Sequence, residues 1–244
     1  MRSATPLAFD EARHRIGTLS IATLLATAGG YLDGFTYVGH GHVFANAMTG
    51  NVVLLGINCV SGSWRAGLRH LPAILAFLAG VTAAQATQLR SQRRGSGAHY
   101  STVLVSEIGV LLILSMLPPA TPDFLFTTTI AFAAAMQVQT FREVNGQSYN
   151  STFTTGNLRT LSEAAFSWFF DGRSRAAAQV VKDFSVICIG FLAGAAAGGF
   201  STQTFGNRAL WCCAVLLAAA TLCVRYRLRL PRVQAVQRSA ALGS

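Results

Sequence analysis

Between Ile16 and Trp64 the only Asp, Glu, Lys or Arg is Asp33. An ionised Asp at a bilayer centre costs ~2.5–3.5 kcal/mol on insertion scales, so such a residue turns toward a polar interior or water. There it is a candidate proton or cation site; the alternative is a carboxylate satisfied by neighbouring helices. Glu107 is a second lone carboxylate, in a stretch from Gly95 to Pro122 with no Lys or Arg. Seven residues into its apolar segment, it is expected near the cytoplasmic interface, beside Arg90, Arg93 and Arg94. Two polar blocks recur: Thr49-Gly50-Asn51 and Thr155-Gly156-Asn157. Gly lets a helix break or another backbone approach. Thr and Asn can satisfy the backbone groups such a break frees. In transporters, discontinuous helices present their ends to substrates and ions near the midplane. The other account is packing, with Thr and Asn bonding across helices. Gly39-His40-Gly41-His42 offers two imidazoles, but without a nearby Cys or carboxylate it makes a weak metal site. It is expected to be a loop at the outer interface. No metal and no cofactor are expected.

Composition decides what must hold these residues. Of 244 residues 52% are hydrophobic and 11% charged, against about a quarter charged in soluble domains. The charges are bunched: Leu71–Leu89, Phe124–Phe141, Ser185–Asn207 and Ala209–Val224 contain none. A bilayer core takes about 20 apolar helical residues to cross. A soluble enzyme, a secreted disulfide scaffold and a nucleic-acid-binding domain are excluded, and the expected class is an all-α, polytopic membrane protein. The net charge of +10 comes from Arg clusters at segment ends, the signature of cytoplasmic loops rather than of nucleic-acid binding. The basic set of 18 Arg and one Lys suggests a GC-rich bacterial genome. Cys188, Cys212, Cys213 and Cys223 lie inside apolar segments and Cys59 at the edge of one, so all five are expected to pack rather than react. Asp10 and Glu11 interrupt the N-terminus, which argues against a cleavable signal.

Eight hydrophobic segments are expected, at about 17–39, 43–60, 71–89, 100–118, 123–141, 152–170, 183–200 and 208–225. Pro118-Pro119 stops the fourth, and Thr121-Pro122 starts the fifth. The halves repeat. The Thr-Gly-Asn blocks lie 106 residues apart, and Phe77-Leu78-Ala79-Gly80 returns 114 later as Phe191-Leu192-Ala193-Gly194. This divides the chain into a cytoplasmic N-terminal segment 1–16, a first membrane repeat 17–118, a second 119–225 and a basic tail 226–244. If all eight segments cross, 13 Lys/Arg fall inside and five outside, with Arg159 in the membrane. If the second and sixth enter without crossing, 16 fall inside and three outside, which fits the positive-inside rule better. Arg159 and Glu163 in the sixth also suit a broken or re-entrant piece. Six spans plus two re-entrant segments give three crossings per half, so the repeats are inverted and both termini cytoplasmic. Asn51 and Asn157 would then sit at equal depth and line one site, with Gln139 in the second half where the first has Asp33.

Gly190, Gly194 and Gly198 form a small-residue ridge, and Gly30 with Gly34 another, each a surface for close helix packing. Arg225, Arg227, Arg229, Arg232 and Arg238 are expected to grip anionic headgroups on the cytoplasmic side.

Gly30-Tyr31-Leu32-Asp33-Gly34, Phe44 and Met48-Thr49-Gly50-Asn51 resemble the YoaK family of uncharacterised bacterial multi-pass membrane proteins. Met136-Gln137-Val138-Gln139, Arg142 and Thr155-Gly156-Asn157 in the second half are similar to it as well, so the resemblance runs from about Ile16 to Val224. Thr140 departs from the Asn the family tends to carry there. The resemblance implies a helical protein of the bacterial plasma membrane and no settled activity. With no nucleophile elbow, zinc-protease motif or phosphate loop in the chain, no enzyme is expected. The expected function is a small secondary transporter or permease for a small molecule or ion, embedded in the lipid bilayer. A structural or lipid-interacting protein is the alternative, and an intramembrane enzyme acting on a lipid the third. The sequence leaves the oligomeric state open.

Overall fold

A computed structural model describes residues 17–94, 97–152, 154–170, 172 and 174–229. The expected N-terminal segment 1–16 and the tail beyond Arg229, with Arg232 and Arg238, lie outside the described residues. The helices are α1 (Leu19–Gly39), α2 (Met48–Val60), a short α3 (Trp64–Leu68), α4 (Leu71–Arg94), α5 (Ala98–Ser115), α6 (Asp123–Thr140), α7 (Thr154–Phe170), α8 (Arg175–Phe205) and α9 (Leu210–Arg229). Among the described residues three helical stretches are long and apolar enough to cross a membrane: Trp64–Arg93, Ala98–Ser115 and Arg175–Arg229. The last turns back at Gly206, whose φ of 54° ends α8, and so contains both α8 and α9. At 1.5 Å per residue α1 is about 31 Å long and α2 only about 20 Å. Pro118 and Pro119 stop α5 and Pro122 precedes α6, the positions a missing N–H allows. A two-residue hairpin, β1 (Glu143–Val144) and β2 (Gln147–Ser148), joins α6 to α7. Neither this hairpin nor α3 is among the expected segments.

The helices pair as α1 with α8, α4 with α6, α5 with α9 and α7 with α8, and α9 also lies against α1. The two expected glycine ridges turn out to be the two sides of one contact. A Cβ at Gly30 would strike the Phe191 carbonyl, and one at Gly34 the Ala195 carbonyl; Gly194 and Gly198 press in turn on the carbonyls of Thr27 and Tyr31, and Gly190 on the Thr27 hydroxyl. Gly80 approaches the Phe132 carbonyl of α6 in the same way. Backbones this close gain dispersion contacts no larger residue permits. The main core, with Leu25, Leu32, Phe35, Leu104, Leu111, Ile130, Leu210 and Leu217, is filled from α1, α5, α6 and α9.

One end of the bundle gathers the chain from Gly39 to Ala47, the α5–α6 turn and the α8–α9 turn. Asn207 Nδ2 donates to the Leu117 carbonyl at 3.1 Å, and His40 Nδ1 meets Asp123 Oδ1 at 3.1 Å.

Candidate functional site

The segment from Gly39 to Ala47 doubles back at Gly41 and His42, both with positive φ, and re-enters the bundle. It is laced to α1. The Ala45 N–H donates to Thr36 Oγ1 at 3.0 Å, and Asn46 Nδ2 donates to the Gly29 carbonyl at 3.0 Å. Asp33 Oδ1 accepts from the N–H groups of Asn46 at 2.7 Å and Ala47 at 3.3 Å. Asp33 therefore caps α2 from a different helix, with its carboxylate at the positive end of the α2 dipole. Gln139, expected to correspond to it in the second half, donates to Gln85 at 2.6 Å. In the loop before α7, Asn150 Oδ1 accepts from the Thr152 N–H at 3.0 Å.

Asn51 clasps the backbone of the residue seven positions earlier. Its Oδ1 accepts from the Phe44 N–H at 3.0 Å and its Nδ2 donates to the Phe44 carbonyl at 2.7 Å. Asn157 repeats this on Asn150, at 3.2 and 2.7 Å. Asn51 Oδ1 also meets His70 Nδ1 at 3.1 Å. Both asparagines are buried, at 0% and 4% exposure. Each amide is thus engaged within its own half, and no hydrogen bond joins the two. Thr49 and Thr155 are exposed, Gly50 packs on the Phe44 ring, and Gly156 faces open space. Of each block, only the Asn turns inward.

The re-entering loops of both halves converge on one residue. Gly29, midway along α1, accepts from Asn46 on one side and lies so close to the Ser151 backbone that an added Cβ would be 2.6 Å from its carbonyl oxygen.

Among the described residues three carboxylates are buried. Asp183 is saturated, Oδ1 by Gln179 and Oδ2 by Asn145, both at 2.7 Å. Glu107 lies in the middle of α5 at 1% exposure, where α6 brings Gln137 against it; with the Gln137 amide nitrogen turned toward the carboxylate, it donates to both oxygens, at 3.2 and 3.1 Å. Asp33 is different: its Oδ2 is buried with no partner, and so is the Oδ1 of Asn46.

At the end where α1 finishes, a cleft of about 230 Å³ is lined by His40, Val43, Arg69, Pro72, Asp123 and Thr127. Its polar rim was not legible in the sequence, since Arg69 and Asp123 come from distant segments. His40 lies flat on Phe126 with centroids 4.1 Å apart, and burial pulls its imidazole below the ordinary value against the opposing effect of Asp123. Among the described residues no three His, Cys, Asp or Glu side chains gather as metal ligands. All five cysteines are free.

Long apolar helices, glycine-mediated packing and a polar loop drawn into the bundle define a polytopic α-helical membrane protein. Residues 21–223 match the model of the family described as "Protein of unknown function (DUF1275)", and the chain belongs to that family. It is also 25% identical, over 147 residues, to the UPF0700 transmembrane protein YoaK of Bacillus subtilis (strain 168), a match covering 59% of this chain and 65% of that protein. No solved structure matches.

Proposed function

We propose that this protein is a small secondary transporter or permease of a bacterial plasma membrane, moving a small molecule or ion along the junction of two inverted repeats. It has six spanning helices, α1, α4, α5, α6, α8 and α9, with α2 and α7 re-entrant and both termini cytoplasmic. The observation that carries the reading is the meeting of the two re-entering loops at Gly29, halfway along α1, beside Asp33. Irregular backbone at such depth is tolerated where it is enclosed by protein or lines a path. The inverted repeat is supported by the paired Asn clasps and by Gly80 and Gly194, each seated on a carbonyl of its facing helix. Re-entry of α2 is supported by its length, well short of a core about 30 Å thick. For α7, the exposed pair Arg159 Nε to Glu163 Oε1, at 2.8 Å, suits an interfacial face rather than hydrocarbon. The cleft beneath His40 and Asp123 is then the outer vestibule.

The saturated asparagine amides favour a second reading, a non-transporting structural or lipid-interacting protein in which the Thr-Gly-Asn blocks only hold their loops. Purified protein reconstituted into liposomes separates the two. Transport predicts substrate-dependent currents on a solid-supported membrane for at least one member of a panel of amino acids, organic acids, sugars and inorganic ions, reduced in Asp33→Asn. Silence across the panel from correctly inserted protein rejects it.

A further inference from the structure

We infer that Asp33 Oδ2 and Asn46 Oδ1 are the protein's ligands in a binding site for a monovalent metal cation of the Na+ class. Asp33, among the buried carboxylates described, leaves an oxygen unpaired, while Asp183 and Glu107 are each held on both oxygens. Asn46 is fully buried, and its amide orientation is set by the bond from Nδ2 to the Gly29 carbonyl, which leaves Oδ1 as a fixed acceptor without a donor. The two residues that carry these open oxygens are in direct contact, since Asp33 Oδ1 holds the Asn46 N–H at 2.7 Å. A hydroxyl can rotate toward a partner; a carboxylate or amide oxygen in this position cannot. A buried acceptor left open bears its full desolvation penalty, and a cation held by both residues would relieve it.

The chemistry of the occupant follows from the donors. Two oxygens, one anionic and one amide, suit a hard cation and offer nothing to a soft metal. No Cys or His is hydrogen-bonded to either residue. One carboxylate balances one charge, which favours a monovalent over a divalent ion in a low-dielectric setting. Asp33 Oδ1 is already held by the N–H groups of Asn46 and Ala47, so Oδ2 is the oxygen left free to ligate, and His40, Gly41 and Val43 of the same loop line the cleft beside Asp123. The assignment deepens the transport reading by naming its coupling ion, yet the binding it asserts does not require transport.

The test uses the full-length protein in nanodiscs with radiolabelled Na+. Saturable binding is expected, displaced by unlabelled Na+ or Li+ and not by choline. Asp33→Asn, which keeps an acceptor for the Asn46 N–H, should weaken binding by about tenfold or more. Asn46→Ala, which leaves Asp33 and its cap in place, provides an independent variant if Asp33→Asn does not yield monodisperse protein. Absence of saturable Na+ binding by the folded wild type overturns the site, as does undiminished binding in both variants. A carboxylic-acid infrared band that disappears in Asp33→Asn, with no Na+ binding, also overturns it and assigns the position to a proton. Currents without Na+ binding would remove the site and leave the transport reading; Na+ binding without currents would do the reverse.

Discussion

Replacing Asn51 by Ala removes a weak hydrogen bond to Met48 Sδ at 3.7 Å and three stronger ones: two to the Phe44 backbone, at 3.0 and 2.7 Å, and one to His70 at 3.1 Å. Each is worth about 1 kcal/mol net, so a loss of about 2–3 kcal/mol is expected. Asn157→Ala removes two bonds of the same geometry, at 3.2 and 2.7 Å, for about 1–2 kcal/mol. At roughly 2–4 °C per kcal/mol for a chain of this size, Tm should fall by about 4–12 °C for Asn51→Ala and by less for Asn157→Ala. Tm is read by the intrinsic fluorescence of detergent-solubilised protein. Asn51→Asp should also be destabilised, because it keeps the acceptor for the Phe44 N–H but sets an oxygen against the Phe44 carbonyl. The ordering discriminates between roles. A clasp gives Asn51→Ala the larger shift and leaves any measured ligand affinity alone. An unchanged Tm combined with weakened ligand binding would refute the reasoning and return both amides to a shared substrate site.

Gly194→Leu forces a side chain into the Thr27 carbonyl and should destabilise by about 1–3 kcal/mol or abolish expression, whereas Gly156→Ala, with open space around it, should leave Tm nearly unchanged. Asp33→Ala should expose the start of α2 while Asp33→Asn does not, which thiol labelling of Ala47→Cys would report; equal labelling in both argues against the cap. His40 titrates below its unfolded value near 6.5, so its contribution to stability is present above that pH and is lost as pH falls through the lowered folded value. Tm should therefore decline from about pH 7 toward pH 5, and His40→Phe should flatten that decline.

The sequence by itself determined the class, because the sparse, bunched charges of this chain and its apolar runs have no low-energy arrangement in water. It also determined the helix limits set by Pro118, Pro119 and Pro122, and the small-residue faces at Gly30, Gly34, Gly190, Gly194 and Gly198, since these follow from local geometry. Tertiary structure decided partnership. That the two glycine faces meet each other, that Glu107 finds Gln137, and that Asn51 reaches back to Phe44 depend on how helices dock, and no local pattern encodes a contact between distant segments. The role of Asp33 shows the difference most clearly. Its cost in hydrocarbon was legible from an otherwise uncharged run. The N–H groups that hold one of its oxygens, and the unpartnered Asn46 oxygen on the same loop, are set in place only because the loop after α1 turns at Gly41 and folds back into the bundle.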